Sequence, residues 1–379
     1  MKVIRVIFLG YDENQGLTLH FADWIEALNK LALKSVELTV ITLNKEQNPG
    51  LLQTLKKIPV TTIIIDRNKD LEKLDIFHKA DIVHCHGIMQ ALMAQKIKKR
   101  KKLKFKIIIT MHAFRHGSWY RPIYANVVSF LCLNKIDLVN FLSQSSKDEF
   151  LCWNFSYKKS NTSIVFPLGC KKERYASDIS IEHLEFYEKL ISNNKNIVYL
   201  ADLIPRKRHM WLLKILKDLL IQEDARLWLF GWGDQMENIK KFIKNNYLNH
   251  YVYLPGRIDG KYIPSILKKM NIAICTSKSE TMGHCIIEPM FAGLPVVTFD
   301  VGIASFAIRD YFTGFIIEDG SEDENFKRAI QFFFRNSNAA MEMGKNAKAF
   351  ANKWLTWEVT AQNCINLYLS MFLYTRKVG

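Results

Sequence analysis

Short, β-rich apolar runs alternate with helical patterns along the whole of this chain. That alternation restricts it to parallel sheets with helices on both faces. In the first half the strand candidates are 3–9, 36–43, 61–65, 81–84 and 107–110, with helical stretches such as 22–33 and 89–99 between them. Around 171–195 the pattern fails: Lys171-Lys172-Glu173-Arg174 and Ser192-Asn193-Asn194-Lys195-Asn196 are polar, and the interdomain connection is placed there. The pattern then restarts with strands at 197–201, 226–230, 251–254, 272–276 and 296–299 and helices at 209–220, 235–245, 263–270 and 283–292. The stretch 341–374 reads as nearly continuous helix. A length of 379 residues is too great for one core and comfortable for two. Sheets of this kind bind ligands at the carboxyl ends of their strands, so two in series predict a cleft suited to a two-substrate enzyme.

Charge narrows the partners. Lys and Arg number 53 against 37 acids, a net of +16, which implies an anionic partner. Eight cations fall within eleven residues: Lys96, Lys98, Lys99, Arg100, Lys101, Lys102, Lys104 and Lys106. The run reads as a solvated helix end or as a contact for an anionic membrane surface. No nucleic-acid-binding motif or stacking platform accompanies it, so no nucleic acid is expected. No apolar run reaches the ~20 residues of a membrane span, and the start reads as a buried strand rather than a signal peptide. Cys85, Cys132, Cys152, Cys170, Cys275, Cys285 and Cys364 are scattered, odd in number and never spaced C-x-x-C. That argues against disulfides or a zinc site and fits a reducing cytosol. No His ligand spacing suggests a metal either, and no cofactor is expected.

The most informative segment is Ser277-Lys278-Ser279-Glu280-Thr281-Met282-Gly283-His284-Cys285-Ile286-Ile287-Glu288-Pro289-Met290-Phe291-Ala292-Gly293-Leu294-Pro295-Val296-Val297. It runs strand, loop, helix, turn, strand. Glu280 lies in the loop, and Glu288 lies about one and a half turns inside the helix. A sugar nucleotide needs such parts: a carboxylate for sugar hydroxyls, another for the ribose diol, and free helix N-terminal amides for the diphosphate. Thr281, Met282 and Gly283 lead into the helix, and Gly283 admits a close backbone approach. Glu288 sits in an otherwise apolar helix, where an ionised carboxylate is costly unless it is used.

This segment resembles the E-x7-E signature of glycosyltransferase family 4, the glycosyl transferases of group 1. The resemblance implies a retaining GT-B enzyme: an α/β chain of two doubly wound, Rossmann-like parallel-sheet domains facing a central cleft. It implies donor-sugar contact for Glu280 and a nucleotide-ribose contact for Glu288. The expected domains are 1–172, with a C-terminal helix 358–379 packing back on it, and 190–357, which binds the nucleotide sugar.

Other blocks follow in the family's order. Tyr199-Leu200-Ala201-Asp202-Leu203-Ile204-Pro205-Arg206-Lys207 is similar to the block carrying a diphosphate-binding Arg and Lys. Lys207 lands on the Lys. Asp202 stands where the Arg usually is, which leaves Arg206 or Arg208 as substitutes. Phe230-Gly231-Trp232-Gly233-Asp234 resembles the G-x-G turn near the base, and Arg257 follows as a further donor-side candidate. Val301-Gly302-Ile303-Ala304-Ser305-Phe306 occupies the place of the family's G-G-x-x-E loop, with Phe306 near the usual Glu. Thr313-Gly314-Phe315 matches the turn after it.

In the first half, His84-Cys85-His86-Gly87 and Thr110-Met111-His112 end strands, as related histidine turns do in the family. The resemblance assigns His112 to the donor sugar, beside Glu280 and Lys207, as catalytic. Gly16, in the loop after the first strand, His86 and His116 are the acceptor-side candidates. Packed structural histidines are the alternative for His84 and His86.

The function implied is transfer of a hexose-type sugar from a nucleoside diphosphate sugar to a glycan or lipid-linked acceptor, in surface polysaccharide or glycolipid synthesis. The enzyme would be cytoplasmic, or peripheral on the inner face of the membrane. A non-hydrolysing sugar-nucleotide epimerase and a non-catalytic nucleotide-sugar-binding module are the alternatives, the latter kept open by Asp202 and Phe306.

Overall fold

A computed structural model describes residues 4–9, 15–32, 35–43, 54–112, 121–155, 157, 163–176, 179–191, 195–318 and 322–377. The chain divides into two compact units, Met1–Gly169 with Thr356–Gly379, and Cys170–Leu355.

The first unit is built on seven parallel strands: β1 (Ile4–Leu9), β2 (Val36–Leu43), β3 (Thr61–Ile65), β4 (Ile82–Cys85), β5 (Lys106–Met111), β6 (Leu138–Phe141) and β7 (Ser163–Val165). Their order is β3-β2-β1-β4-β5-β6-β7. β4 and β6 are buried along their whole length, which is why they carry apolar runs rather than an alternating pattern. Helices α1 (Gln15–Ala32), α2 (Ile88–Arg100), α3 (Arg121–Leu131) and α4 (Gln144–Trp153) connect them.

The second unit has six parallel strands: β8 (Asn196–Leu200), β9 (Arg226–Phe230), β10 (Val252–Gly256), β11 (Ile272–Cys275), β12 (Val296–Phe299) and β13 (Gly314–Ile317). Their order is β10-β9-β8-β11-β12-β13. Its helices are α5 (Tyr187–Ile191), α6 (His209–Gln222), α7 (Met236–Asn245), α8 (Ile263–Leu267), α9 (His284–Ala292), α10 (Ala304–Ala307), α11 (Glu322–Arg335) and α12 (Ser337–Trp354). A last helix, α13 (Trp357–Lys377), belongs to the first unit. There Trp357 stacks on Trp24 with ring centroids 6.0 Å apart, and Tyr368 hydroxyl lies 2.7 Å from His84 Nδ1.

The structure departs from the sequence reading in six places. Strands β6, β7 and β13 were not expected. Asn140 interrupts β6, but its Oδ1 accepts from Phe166 N at 3.2 Å and its Nδ2 donates to Thr110, so a buried polar residue is paid for in hydrogen bonds. β13 begins at Gly314, read as a turn, because a Cβ there would lie 2.1 Å from Val296 O. The continuous helix expected over 341–374 is two helices broken at Leu355 and Thr356, where Leu355 O accepts from Cys170 N at 2.8 Å. Within the segment read as the connection, Lys172–Tyr175 is a 3-10 turn of the second unit, with Tyr175 stacked on Phe291. Gly16, expected in a loop, is the second residue of α1.

The position of α9 depends on one close approach. Gly344 of α12 meets Gly293, which caps α9 at φ +87°; a Cβ on Gly344 would lie 2.1 Å from Gly293 O. We expect Gly344→Ala to destabilise the chain by about 1–3 kcal/mol, the cost of forcing atoms into a filled space. Thermal melting checks this, and an unchanged Tm would show that the helices can part freely.

Candidate active site

The site in the second unit grows from the end of β11. The chain leaves Cys275, passes Thr276 and Ser277, and reaches Glu280 before entering α9 at Gly283. Gly283 adopts φ +92°, a left-handed turn that glycine tolerates, and serves as the N-cap. Thr281 is half-buried and Met282 buried. Gly302 packs from the other side: its φ is +56°, and a Cβ there would lie 2.5 Å from Met282 O and 2.9 Å from Glu280 Cβ. Ile303 N donates to Met282 O at 2.9 Å, tying the 301–306 loop to the Glu280 loop.

Opposite lies the short 3-10 turn Pro205–Lys207. Three hydrogen bonds fix it to β8 and to the loop after β11: Thr276 Oγ1 donates to Lys207 O at 2.7 Å, Tyr199 hydroxyl on β8 donates to the same carbonyl at 3.2 Å, and Lys278 N donates to Arg206 O at 2.9 Å. Tyr199 hydroxyl also lies 2.9 Å from Ser277 Oγ. This scaffold aims Lys207 Nζ at Glu280, with which it forms a direct ion pair. Arg206 Nη1 donates to Ser279 O and stands 3.5 Å from Glu280 Oε1.

Glu280 is 8% exposed, so burial pushes its pKa up; Lys207 and Arg206 more than offset this and hold it below the ordinary carboxylate value. Burial likewise works against the Lys207 ammonium, but the Cys285 sulfur and the Glu280 carboxylate outweigh it and raise its pKa. Both groups are therefore charged at neutral pH.

Of the two possible replacements for the Arg missing at 202, Arg206 is the one at Glu280. Arg208 is committed elsewhere, paired with Glu322 at 2.6 Å and lying over the Trp211 ring at 4.3 Å. Asp202 itself is 3.6 Å from Arg257 Nη2, both exposed. Phe306 packs edge-on against Phe350 at 5.4 Å.

Glu288 has a different setting. Dense packing around its carboxyl raises its pKa to about 7, with Arg174 working in the opposite direction. The neighbourhood comes from the 170–175 segment: Cys170 and Tyr175 both feel the Glu288 charge. Sequence reasoning missed Arg174 and Tyr175 because a polar stretch between two α/β patterns looks like a linker. It also missed Tyr199, Thr276 and Ser277, whose role is to hold a turn.

Gly231 and Gly233 follow β9. A Cβ at Gly231 would lie 2.0 Å from Ala201 O, and one at Gly233 2.4 Å from Leu203 O. Close packing on the 201–203 loop is thus sufficient reason for both glycines. Trp232 between them is 59% exposed.

In the first unit, His86 Nδ1 and His112 Nε2 lie 2.8 Å apart and share one proton. His84 is held by Tyr368 hydroxyl at Nδ1 and by Thr110 Oγ1, 2.8 Å away, at Nε2. Burial lowers the His84 pKa to about 3 and that of His112 to about 4, and burial with the neighbouring histidines puts His86 well below its usual value. The cluster is neutral at pH 7. Among the described residues His86 Nε2 and His112 Nδ1 have no hydrogen-bond partner. His116 lies outside the described residues, and Gly16 is placed only by its backbone.

The basic run is partly neutralised by its own unit. Lys96 and Arg100 pair with Glu72, Lys98 and Lys106 with Asp137, and Lys101 with Asp75. Lys99, Lys102 and Lys104 are exposed. Among the described residues no helix is long and apolar enough to cross a membrane.

In the unfolded chain the Glu288 carboxyl ionises near 4.5, and in the fold at about 7. Stability that is complete below pH 4.5 is therefore lost as the pH rises through 7. Glu288→Gln removes the burden, and we expect it to stabilise the chain by about 1–3 kcal/mol at pH 8 and to be neutral near pH 4.5. Chemical denaturation at the two pH values checks this; an equal effect at both would exclude ionisation as the cause.

The family model for glycosyl transferases group 1 matches residues 181–350. N-acetyl-alpha-D-glucosaminyl L-malate synthase of Bacillus anthracis is 24% identical over 272 residues, across 71% of this chain and 69% of that one. The Escherichia coli UDP-Gal:alpha-D-GlcNAc-diphosphoundecaprenol alpha-1,3-galactosyltransferase is also 24% identical, over 284 residues, 71% of this chain and 70% of its own. Among solved structures, Anabaena HepE in complex with UDP-glucose superposes with a TM-score of 0.75 at 19% identity, covering 97% of this chain and all of that one.

Proposed function

We propose that this chain, a glycosyltransferase of the GT-B fold, is a retaining hexosyltransferase of family 4 that takes its sugar from a nucleoside diphosphate donor held by the second unit. The observation that carries the reading is the convergence of Lys207 and Arg206 on Glu280 in front of the Gly283-led helix α9, with Glu288 on that same helix. The diphosphate gains negative charge as it leaves, and fixed cations with helix amides stabilise such a group without reorganising.

In this reading, Glu280 accepts hydrogen bonds from the donor sugar. Lys207, Arg206 and the amides at Thr281, Met282 and Gly283 meet the diphosphate. Glu288 takes the ribose diol, and the turn at Gly231 and Gly233, with Arg257 beyond it, borders the base. His112, neutral and with Nδ1 lacking a partner among the described residues, is the proposed donor to a sugar hydroxyl. The acceptor hydroxyl attacks from the face that the leaving group vacates, and the departing phosphate accepts its proton. No resident metal or cofactor is asked for.

HepE is described in complex with UDP-glucose, and the name of the Escherichia coli relative includes a diphosphoundecaprenol acceptor. These support a uridine-type donor and a glycan or lipid-linked acceptor here. A cytoplasmic enzyme meeting such an acceptor at the membrane would have Lys99, Lys102 and Lys104 for an anionic surface, each worth about 1 kcal/mol.

The deciding experiment is competition binding with UDP-, GDP-, ADP- and dTDP-sugars on wild type and Glu288→Ala, followed by NMR of the product's anomeric centre. One sugar nucleotide should bind selectively, the variant should lose it, and the configuration should be kept. An inverted product or an isomerised free sugar nucleotide would refute retention or transfer, respectively. Lys207→Ala should lower kcat by about 10²–10³-fold, as loss of one transition-state charge partner does; wild-type turnover in that variant would remove Lys207 from the site.

A further inference from the structure

Two cysteines ten positions apart bracket the Glu280 loop. Cys275 ends β11 and Cys285 is the second residue of α9, and the fold brings their sulfurs to 3.2 Å. Neither spacing nor composition singles them out. The two Sγ atoms and a Glu280 carboxylate oxygen all lie within 4.8 Å of one another. Among the described residues no other three Cys, His, Asp or Glu side chains converge in this way.

Two soft sulfurs and one carboxylate are a ligand set for zinc rather than for magnesium or calcium, which take oxygen donors. Tetrahedral zinc, with Zn–S near 2.3 Å, sets its sulfurs about 3.7 Å apart, so the pair needs to open by roughly half an ångström. The charges also close. Two thiolates and a carboxylate give −3 against the metal's +2, and the Lys207 ammonium, already at Glu280, offsets the remainder. Binding releases two thiol protons to solvent. A fourth position stays open for water, as in sites with three protein ligands.

We propose that Cys275, Cys285 and Glu280 form an inhibitory site for a thiophilic divalent cation of the zinc type. Metal capture occupies the Glu280 carboxylate that the donor sugar would otherwise engage, with Lys207 still beside it, and so halts transfer without any new pocket. The inhibitory consequence rests on the donor role given to Glu280 above; the metal site itself does not.

The test uses the full chain under anaerobic reducing conditions with cobalt(II) as the probe. A near-ultraviolet thiolate-to-cobalt band should saturate at one metal per chain and be displaced by zinc. Cys285→Ala, which leaves the fully buried Cys275 in place, should lose the band, and Glu280→Gln should keep it with affinity weakened about tenfold or more. In turnover assays, zinc should inhibit wild type reversibly with EDTA, whereas Cys285→Ala should work equally with and without zinc. No band, or a band unchanged in Cys285→Ala, overturns the proposal. So does inhibition that resists EDTA and yields to a thiol reductant, which would mark a disulfide instead. A band without inhibition confirms the metal site and overturns the donor role of Glu280.

Discussion

Glu280 is ionised where little water reaches it, and Lys207 keeps it so. Either group alone in that setting would be driven towards its neutral form. Together they hold a carboxylate that can only accept hydrogen bonds and an ammonium that can only donate them. The pair is rigid because neither side chain hangs from a free loop: the Lys207 carbonyl is pinned by Thr276 and Tyr199, and the Glu280 backbone is braced by Gly302 and Met282. A site so tied presents the same polarity before and after a ligand arrives, which is what stabilisation of developing charge requires.

Eight residues on, at Glu288, burial outweighs the opposing charge of Arg174. Its carboxyl titrates at about 7, pushed up by burial. The two carboxylates of one motif therefore differ in charge near neutral pH, although both are glutamates on the same strand–loop–helix segment. Environment, not residue type, separates their chemistry.

Much of this was legible in advance. The two parallel sheets were read from the run of apolar segments, since strands buried on both faces announce themselves by composition. Glu280, Lys207 and Glu288 were singled out by their resemblance to family motifs, and the fold brings Lys207 to Glu280. The misses have physical causes. Asn140 and Gly314 disguise strands because their hydrogen bonds and close contacts involve distant residues. Arg174 and Tyr175 looked like linker because a polar stretch does not show which helix it packs against. The choice of Arg206 over Arg208 depended on Glu322, more than a hundred residues away. The Cys275–Cys285 approach depended on how sharply a loop turns back at Gly283.

Helix α13 has a consequence for synthesis on the ribosome. The second unit is one uninterrupted stretch of chain and holds all its strands once residue 355 has emerged. The first unit is made earlier but completed later, because Trp357 and Tyr368 supply partners for Trp24 and His84. Throughout synthesis of the second unit, the first is left with an aromatic face and a buried histidine awaiting their covers. Vectorial synthesis thus reverses the order of completion, and the nascent first unit is the part with most need of a chaperone.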